Sequence, residues 1–190
     1  SRIAAAPCRT VGSATRPTVK PIEIDYFPAT AAQVTLQKPG GGTETVTLTG
    51  PTTVHVKINP DGTGAADTDG DGLDQVATEM VALDLTGSGS MGVVKARLRS
   101  GFPTLGQIEE TVNLNPGRLD VEPFTTGGTA NSFFDVFVDL EVNGQVLHPA
   151  TAIHLESLIH HKPPAPGDEY VNPFTQPVPL LDANGNPTGF

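Results

Sequence analysis

The fold is decided by residues 131–144, which read Asn131-Ser132-Phe133-Phe134-Asp135-Val136-Phe137-Val138-Asp139-Leu140-Glu141-Val142-Asn143-Gly144. Every second side chain from Phe134 to Val142 is apolar, and three of the positions between them are acidic. This spacing of two is typical of a β-strand with one face in the core. Asn143-Gly144 predicts a type I′ hairpin turn. The segment therefore predicts one long strand, Asn131 to Asn143, followed by a returning strand.

Alternating segments of the same kind recur along the chain and are separated by glycine-rich and proline-rich breaks. The chain contains 21 Gly and 18 Pro in 190 residues, which favours many turns over long helices. We count roughly nine strands at short spacing, and these predict an all-β protein. Two amphipathic antiparallel sheets bury their apolar faces on each other, so we expect an antiparallel β-sandwich, Ig-like or jelly-roll-like.

One short helix is expected within the β pattern. Thr104 and Gln107 have the spacing of a capping box, and Ile108 and Val112 fall four residues apart. Glu109 and Glu110 then lie near the amino end of the helix, where its dipole favours acids. Because neighbours on a helix point about 100° apart, we interpret this acidic pair as a solvated face.

The two ends of the chain differ from its centre. Residues 1–20 contain four cations and no acid, so residues 21–190 carry −14 against the net −10 of the whole chain. We divide the chain into a basic N-terminal arm (1–21), a β-sandwich domain (22–160) and a proline-rich C-terminal arm (161–190). The charge asymmetry favours docking of the basic arm on the acidic body of a neighbouring copy and argues against nucleic acid as a partner. No apolar run approaches the ~20 residues of a membrane span.

An acidic loop, Asp67-Thr68-Asp69-Gly70-Asp71-Gly72-Leu73-Asp74, predicts a calcium site within residues 61–79. Its alternating aspartates match the first half of the EF-hand pattern, with the Leu73 carbonyl at the seventh position. The twelfth position is Thr78 instead of Glu, so closure would come from Asp74, Glu79 or Asp61. The expected ligands are Asp67, Asp69, Asp71, Leu73, Asp74 and Glu79. The alternative interpretation is a solvated Asp-Gly turn region without a metal.

The sequence contains no set of residues that predicts catalysis, and we expect a protein that is not an enzyme. It lacks the motifs of serine nucleophiles. His148, His154, His160 and His161 lie within fourteen residues, but six residues of strand separate two side chains by about 20 Å, so we interpret them as ordinary strand-edge histidines. Cys8 is the only cysteine, which leaves it either free or paired with a second chain.

Several segments resemble an uncharacterised group of secreted bacterial β-rich proteins of unknown function. They are the DGLDQVATEMVALDLTG run at 71–87 that follows the DxDGDG loop, IEE at 108–110, NSFFDVF at 131–137, HKPPAPG at 161–167 and DANGNPTGF at 182–190. The likeness covers roughly residues 65–190. It implies an exported chain and brings no activity or catalytic residues with it.

These observations predict an extracellular or cell-surface structural protein. We expect a subunit of a filament or surface assembly, in which a terminal arm docks on, or donates a strand to, the next copy. The expected docking residues are Ile3, Val11 and Val19 in one arm, or Tyr170, Phe174 and Leu181 in the other. The alternative is a calcium-dependent binding module for a glycan or another cell-surface partner.

Overall fold

A computed structural model describes residues 21–174 and 176–190. This part of the chain is all-β and antiparallel, as predicted. Cys8 and the predicted docking residues Ile3, Val11 and Val19 lie outside the described residues. The ten strands are β1 (Glu23–Gln37), β2 (Thr43–Val56), β3 (Gln75–Gly89), β4 (Gly92–Leu98), β5 (Thr104–Glu110), β6 (Ala130–Val136), β7 (Val138–Val142), β8 (Gln145–Pro149), β9 (Ile153–Ile159) and β10 (Leu180–Leu181).

The long strand β3 has different neighbours along its two halves. Residues 75–80 pair with β5, whereas residues 84–89 pair with β4, and β2 runs along the opposite side of β3. The sheet therefore divides into two branches. One branch continues from β5 to β6 and β9, and the other continues from β4 to β7, β8 and β10.

The long strands bend where the two branches separate. The register of β1 with β2 shifts between Phe27 and Thr30, and that of β2 with β3 shifts between Thr53 and Val54. Such irregularities let a strand turn from one layer into another. Buried side chains of both branches form one hydrophobic core. The architecture is thus consistent with the predicted sandwich.

The predicted strand from Asn131 to Asn143 is two strands with different partners. β6 lies between β5 and β9, whereas β7 lies between β4 and β8, and Phe137 separates them. The predicted faces are nevertheless right, because every second residue from Phe134 to Val142 is buried. The chain passes from one branch to the other without changing which side faces the core. The hairpin turn is confirmed, since Asn143 and Gly144 both have positive φ, at 49° and 82°.

The predicted helix at residues 104–112 is wrong. These residues form β5 as far as Glu110, and β5 pairs with both β3 and β6. Thr104, Ile108 and Glu110 are buried at even spacing. A single capping-box spacing is a weak local signal, and two long-range ladders outweigh it. Gly106 fits between the neighbouring strands because a Cβ there would lie 2.1 Å from the Phe133 carbonyl oxygen.

The C-terminal segment packs against the body of its own chain. The Tyr170 ring lies 5.7 Å from that of Phe134, and its hydroxyl donates to Ser132 Oγ at 2.8 Å. β10, which contains Leu181, pairs with β8. Phe174 remains 65% exposed, although its ring lies 6.0 Å from that of His154. All three predicted C-terminal docking residues thus make contacts within the subunit, and Phe174 is the most exposed of them.

Candidate metal site

The acidic loop connects β2 to β3 and is closed at its base by one antiparallel pair. The backbones of Ala66 and Gln75 exchange two hydrogen bonds, at 3.1 and 3.2 Å. The Gln75 side chain crosses the base of the loop, donating to Thr68 Oγ1 at 2.7 Å and accepting from the Thr68 N–H at 3.3 Å. The loop at 67–74 is therefore anchored to the first residue of β3.

Within the loop, Asp67 organises the backbone. Its Oδ1 accepts from the Gly70 N–H at 2.6 Å and its Oδ2 accepts from the Gly72 N–H at 3.0 Å. Both glycines have positive φ, at 87° and 94°, a conformation that side chains disfavour. Asp71 Oδ1 accepts from the Leu73 N–H at 2.9 Å. The loop is thus wound tightly around its own carboxylates.

This winding brings three predicted ligands together. Carboxylate oxygens of Asp67, Asp69 and Asp71 all lie within 4.8 Å of one another, and all three residues are exposed. Three like charges at this separation repel each other, and a bound cation would remove that repulsion. The donors are all oxygens, which hard cations such as Ca²⁺ and Mg²⁺ prefer. The residues present therefore fit a hard divalent cation, with backbone carbonyls and water needed to complete its ligand shell.

Two other predicted ligands lie elsewhere. Asp74 is buried, donates its N–H to Glu110 Oε1 at 2.9 Å and accepts a short hydrogen bond from the Gly117 N–H. Glu79 lies in the middle of β3, paired with His55 and Leu105. In the described part of the chain, neither joins the group of oxygens formed by the three loop aspartates.

Glu109 lies near the acidic loop, and the sequence analysis did not predict that position. It is paired with Gln75 across β3 and β5, beside the base of the loop. Burial raises the pKa of Glu109, and the charges of Asp71, Asp69 and Asp67 raise it further, against a hydrogen bond from Gln107. The triad formed by Asp67, Asp69 and Asp71 is therefore close enough for its charge to act on Glu109. The sequence did contain a signal for this position. Glu109 and Glu110 are adjacent, and neighbouring side chains on a strand point to opposite faces, so the two could not share one solvated face.

Asn113 links the acidic loop to the long connection between β5 and β6. Its Nδ2 donates to the Gly72 carbonyl oxygen at 3.2 Å. Its Oδ1 is buried without a hydrogen-bond partner among the described residues. A buried oxygen that lacks a partner is costly, and one that lies beside an acidic loop fits a site for a cation or its bound water.

The histidines are dispersed among separate polar contacts. His154 Nδ1 lies 2.8 Å from Asp135 Oδ1, and His160 Nδ1 lies 2.8 Å from Asp168 Oδ1. His161 Nδ1 lies 2.9 Å from the Pro163 carbonyl oxygen. No histidine belongs to a potential metal-binding group within residues 21–174 and 176–190.

Comparison with known proteins supports the fold and no more. The sequence matches no protein-family model and no curated protein. The structure is similar to that of DynF from the dynemicin biosynthesis pathway of Micromonospora chersina, with a TM-score of 0.64 and 21% identity over 98% of this chain and 84% of DynF. At this identity the likeness shows a shared fold. No helix of the described residues is long and apolar enough to cross a membrane.

Proposed function

We propose that this chain is a non-enzymatic extracellular subunit that assembles by accepting the N-terminal arm of a neighbouring copy along β1. The free edge of β1 is the observation that carries this proposal. β1 is 15 residues long and pairs only with β2 among the described strands. A free strand edge offers a row of unpaired N–H and C=O groups to an added strand.

The core beside this edge is incompletely covered. Ala32 and Val34 face the core but are only half-buried, whereas their partners on β2, Leu48 and Val46, are 0% and 2% exposed. The difference arises at the edge, where β1 has a neighbour on only one side among the strands that the structure describes. An added strand that carries small apolar side chains would cover Ala32 and Val34.

Residues 1–20 of a second copy suit this position by their chemistry. They carry four positive charges and the apolar residues Ile3, Val11 and Val19, and the rest of the chain is strongly acidic. Opposite charges speed the encounter and orient the partners. The C-terminal segment is a weaker candidate because β10 and Tyr170 are already engaged within the subunit. Calcium at the loop aspartates would stiffen the β2–β3 connection of each subunit.

Deletion of residues 1–20 and a charge on β1 test this proposal together. Full-length protein should form regular polymers by negative-stain imaging, and both the truncated chain and Ala32→Lys should remain monomeric by light scattering. Ala31→Lys is the matched control, because Ala31 is an exposed neighbour on the opposite face of β1. Polymers that persist after truncation would exclude the arm, and equal loss in both lysine variants would exclude the core-facing side of β1.

A second candidate is a calcium-dependent binding module, favoured by two apolar residues beside the acidic loop. Val112 and Leu114 are 56% and 65% exposed and flank Asn113, which contacts Gly72. An apolar surface beside a cation is suited to a glycan or a peptide partner. Glycan-array binding that chelation abolishes, and that Leu114→Ser weakens, would establish this function for a dispersed monomer.

A further inference from the structure

Lys162 and Asp25 are enclosed together between the start of β1 and the segment after β9, and Glu23, whose side chain is 29% exposed, lies beside them. The Lys162 side chain is 0% exposed, and its Nζ lies 2.9 Å from Asp25 Oδ1 and 3.0 Å from Glu23 Oε1. The Asp25 side chain is 5% exposed. Lysine is almost never fully buried unless it is paired, and Lys162 is held here by two carboxylates.

The charges of the cluster do not balance. One ammonium faces two carboxylates, and Glu23 Oε2 is buried without a hydrogen-bond partner among the described residues. Burial raises the pKa of Asp25, although the hydrogen bond and charge of Lys162 act against this, and the charge of Glu23 raises it further. A buried charge that lacks a partner is costly. Condensation of the Lys162–Asp25 pair requires that one proton moves from Lys162 Nζ to Asp25, so that a neutral amine faces a neutral carboxylic acid.

We propose that Lys162 Nζ and Asp25 Cγ condense into an intramolecular amide bond, with Glu23 carrying the proton. The amine lone pair attacks Asp25 Cγ, and the C–N bond forms. The Glu23 carboxylate accepts a proton from the nitrogen and delivers it to the departing Asp25 hydroxyl. The C–O bond then breaks and one water molecule leaves. Amine and acid become amide and water, with no oxidation or reduction.

The fold supplies the conditions for this step. The backbone N–H of Lys162 donates to the Glu122 carbonyl oxygen at 2.6 Å, and Asp25 is fixed in the ladder between β1 and β2. Holding two reacting groups in contact raises their effective concentration by several orders of magnitude. A buried amine is also a better nucleophile once it has lost its proton and its hydration shell.

A surface pair in the same chain gives the contrast. Lys95 Nζ lies 2.8 Å from Glu141 Oε1, but the two side chains are 32% and 31% exposed. Solvent reaches both groups there, whereas the Lys162 and Asp25 side chains are shut off from it. The distance from nitrogen to oxygen is similar in the two pairs, but only the Lys162–Asp25 pair is buried.

The bond would join two parts of the chain 137 residues apart. It would tie the first strand to the segment that follows the last long strand, in a chain whose single cysteine excludes an internal disulfide. Cross-links that close long loops restrict the unfolded chain most. This inference is independent of the assembly proposed above, since the bond forms within one subunit.

Intact mass and peptide mapping of the purified full-length protein test the proposal. We expect a mass lower than that of the sequence by one water molecule, and one proteolytic product in which the peptides containing Asp25 and Lys162 are joined. Lys162→Arg and Asp25→Ala should restore the full mass, and Lys95→Arg should keep the loss. If circular dichroism shows that Glu23→Gln is folded, most molecules of that variant should have the full mass, without loss of water.

Two results would overturn the proposal. A folded wild-type protein with the unmodified mass would make the cluster a buried salt bridge alone. A water loss confined to one peptide would indicate cyclisation of an aspartate with its own backbone. Both results are measured on the wild-type protein, so they do not depend on whether a variant folds.

Discussion

Glu109 and Glu110 are adjacent and chemically identical, yet they have different roles because a strand points them to opposite faces. Glu110 is 0% exposed and accepts from the N–H groups of Asp74 and Asp120, at 2.9 and 2.8 Å. Burial raises the pKa of Glu110, although those two hydrogen bonds act to lower it. Glu110 therefore holds the β5–β6 connection to the base of the acidic loop. Glu109 lies on the opposite face, under the influence of the loop aspartates.

A bound cation should change the titration of Glu109. Its folded pKa lies above the ordinary value of 4.5, partly because of the charges on the triad. Stability associated with protonated Glu109 is therefore present below pH 4.5 and is lost as pH rises through the folded pKa. Calcium at the triad would offset those charges and lower the pKa of Glu109. NMR titration of the side-chain carboxyl with and without calcium measures this shift.

The buried Glu110 provides an internal reference for that titration. Burial is the largest influence on both glutamates, but the charges that raise the pKa of Glu110 are those of Asp120 and Asp74, whereas the three loop aspartates raise that of Glu109. The pKa of Glu110 should therefore move less when calcium binds. A Glu109 pKa that stays constant while calcium binds would show that the ion lies away from the triad.

At the scale of elements, the bend shared by β2 and β3 determines how the two branches enclose one core. Gly50 lies close to this bend, at the irregularity in the pairing of β1 with β2, where Thr30 is its partner. A Cβ at Gly50 would lie 2.0 Å from the Asp84 carbonyl oxygen. That distance is far below van der Waals contact, so a side chain would push the two strands apart.

Gly50→Ala should therefore destabilise the protein by about 2 kcal/mol or more, in the range of other overpacked sites. For a chain of this length that corresponds to a melting temperature lower by roughly 4–8 °C. Thr49→Ala is the control, because Thr49 is exposed on the same strand. Thermal unfolding followed by circular dichroism gives both values. Equal melting temperatures for the two variants would contradict the close approach at the bend.

Sequence patterns recovered the faces of the strands better than their partners. The alternation from Phe134 to Val142 identified the buried positions correctly, because burial acts on each side chain separately. It could not reveal the change of branch at Phe137, since the core side is the same in both. The helix prediction at 104–112 failed for a related reason: the ladders to β3 and β6 that fix β5 involve residues remote in sequence.

The candidate site was predictable only in its local part. Asp67, Asp69 and Asp71 lie within one short loop, so their spacing alone indicated that their oxygens converge. Glu109 and Asn113 reach the loop through the pairing of β5 with β3 and through the connection that follows it. The Lys162–Asp25 contact joins residues 137 positions apart. No periodicity in a sequence encodes contacts of that kind.

For the whole molecule, the net charge of −10 makes the folded state sensitive to cations. Salt screens such self-repulsion without regard to position, whereas a specific ion acts through the residues that bind it. The two effects are separable because the chain has exposed aspartates outside the loop. Asp84, for example, is 57% exposed and pairs with Arg97 at 3.2 Å.

Calcium at one hundred times its dissociation constant should stabilise the folded protein by about 2.7 kcal/mol, because it binds the folded state. This corresponds to a melting temperature higher by roughly 5–10 °C for a chain of this size. Asp69→Asn should abolish the increase, and Asp84→Asn should retain it. Calorimetry in calcium, in chelator and in sodium chloride of equal ionic strength makes the comparison. An increase of the same size in sodium chloride, or in Asp69→Asn, would assign the stabilisation to screening and leave the loop as an acidic turn without a resident ion.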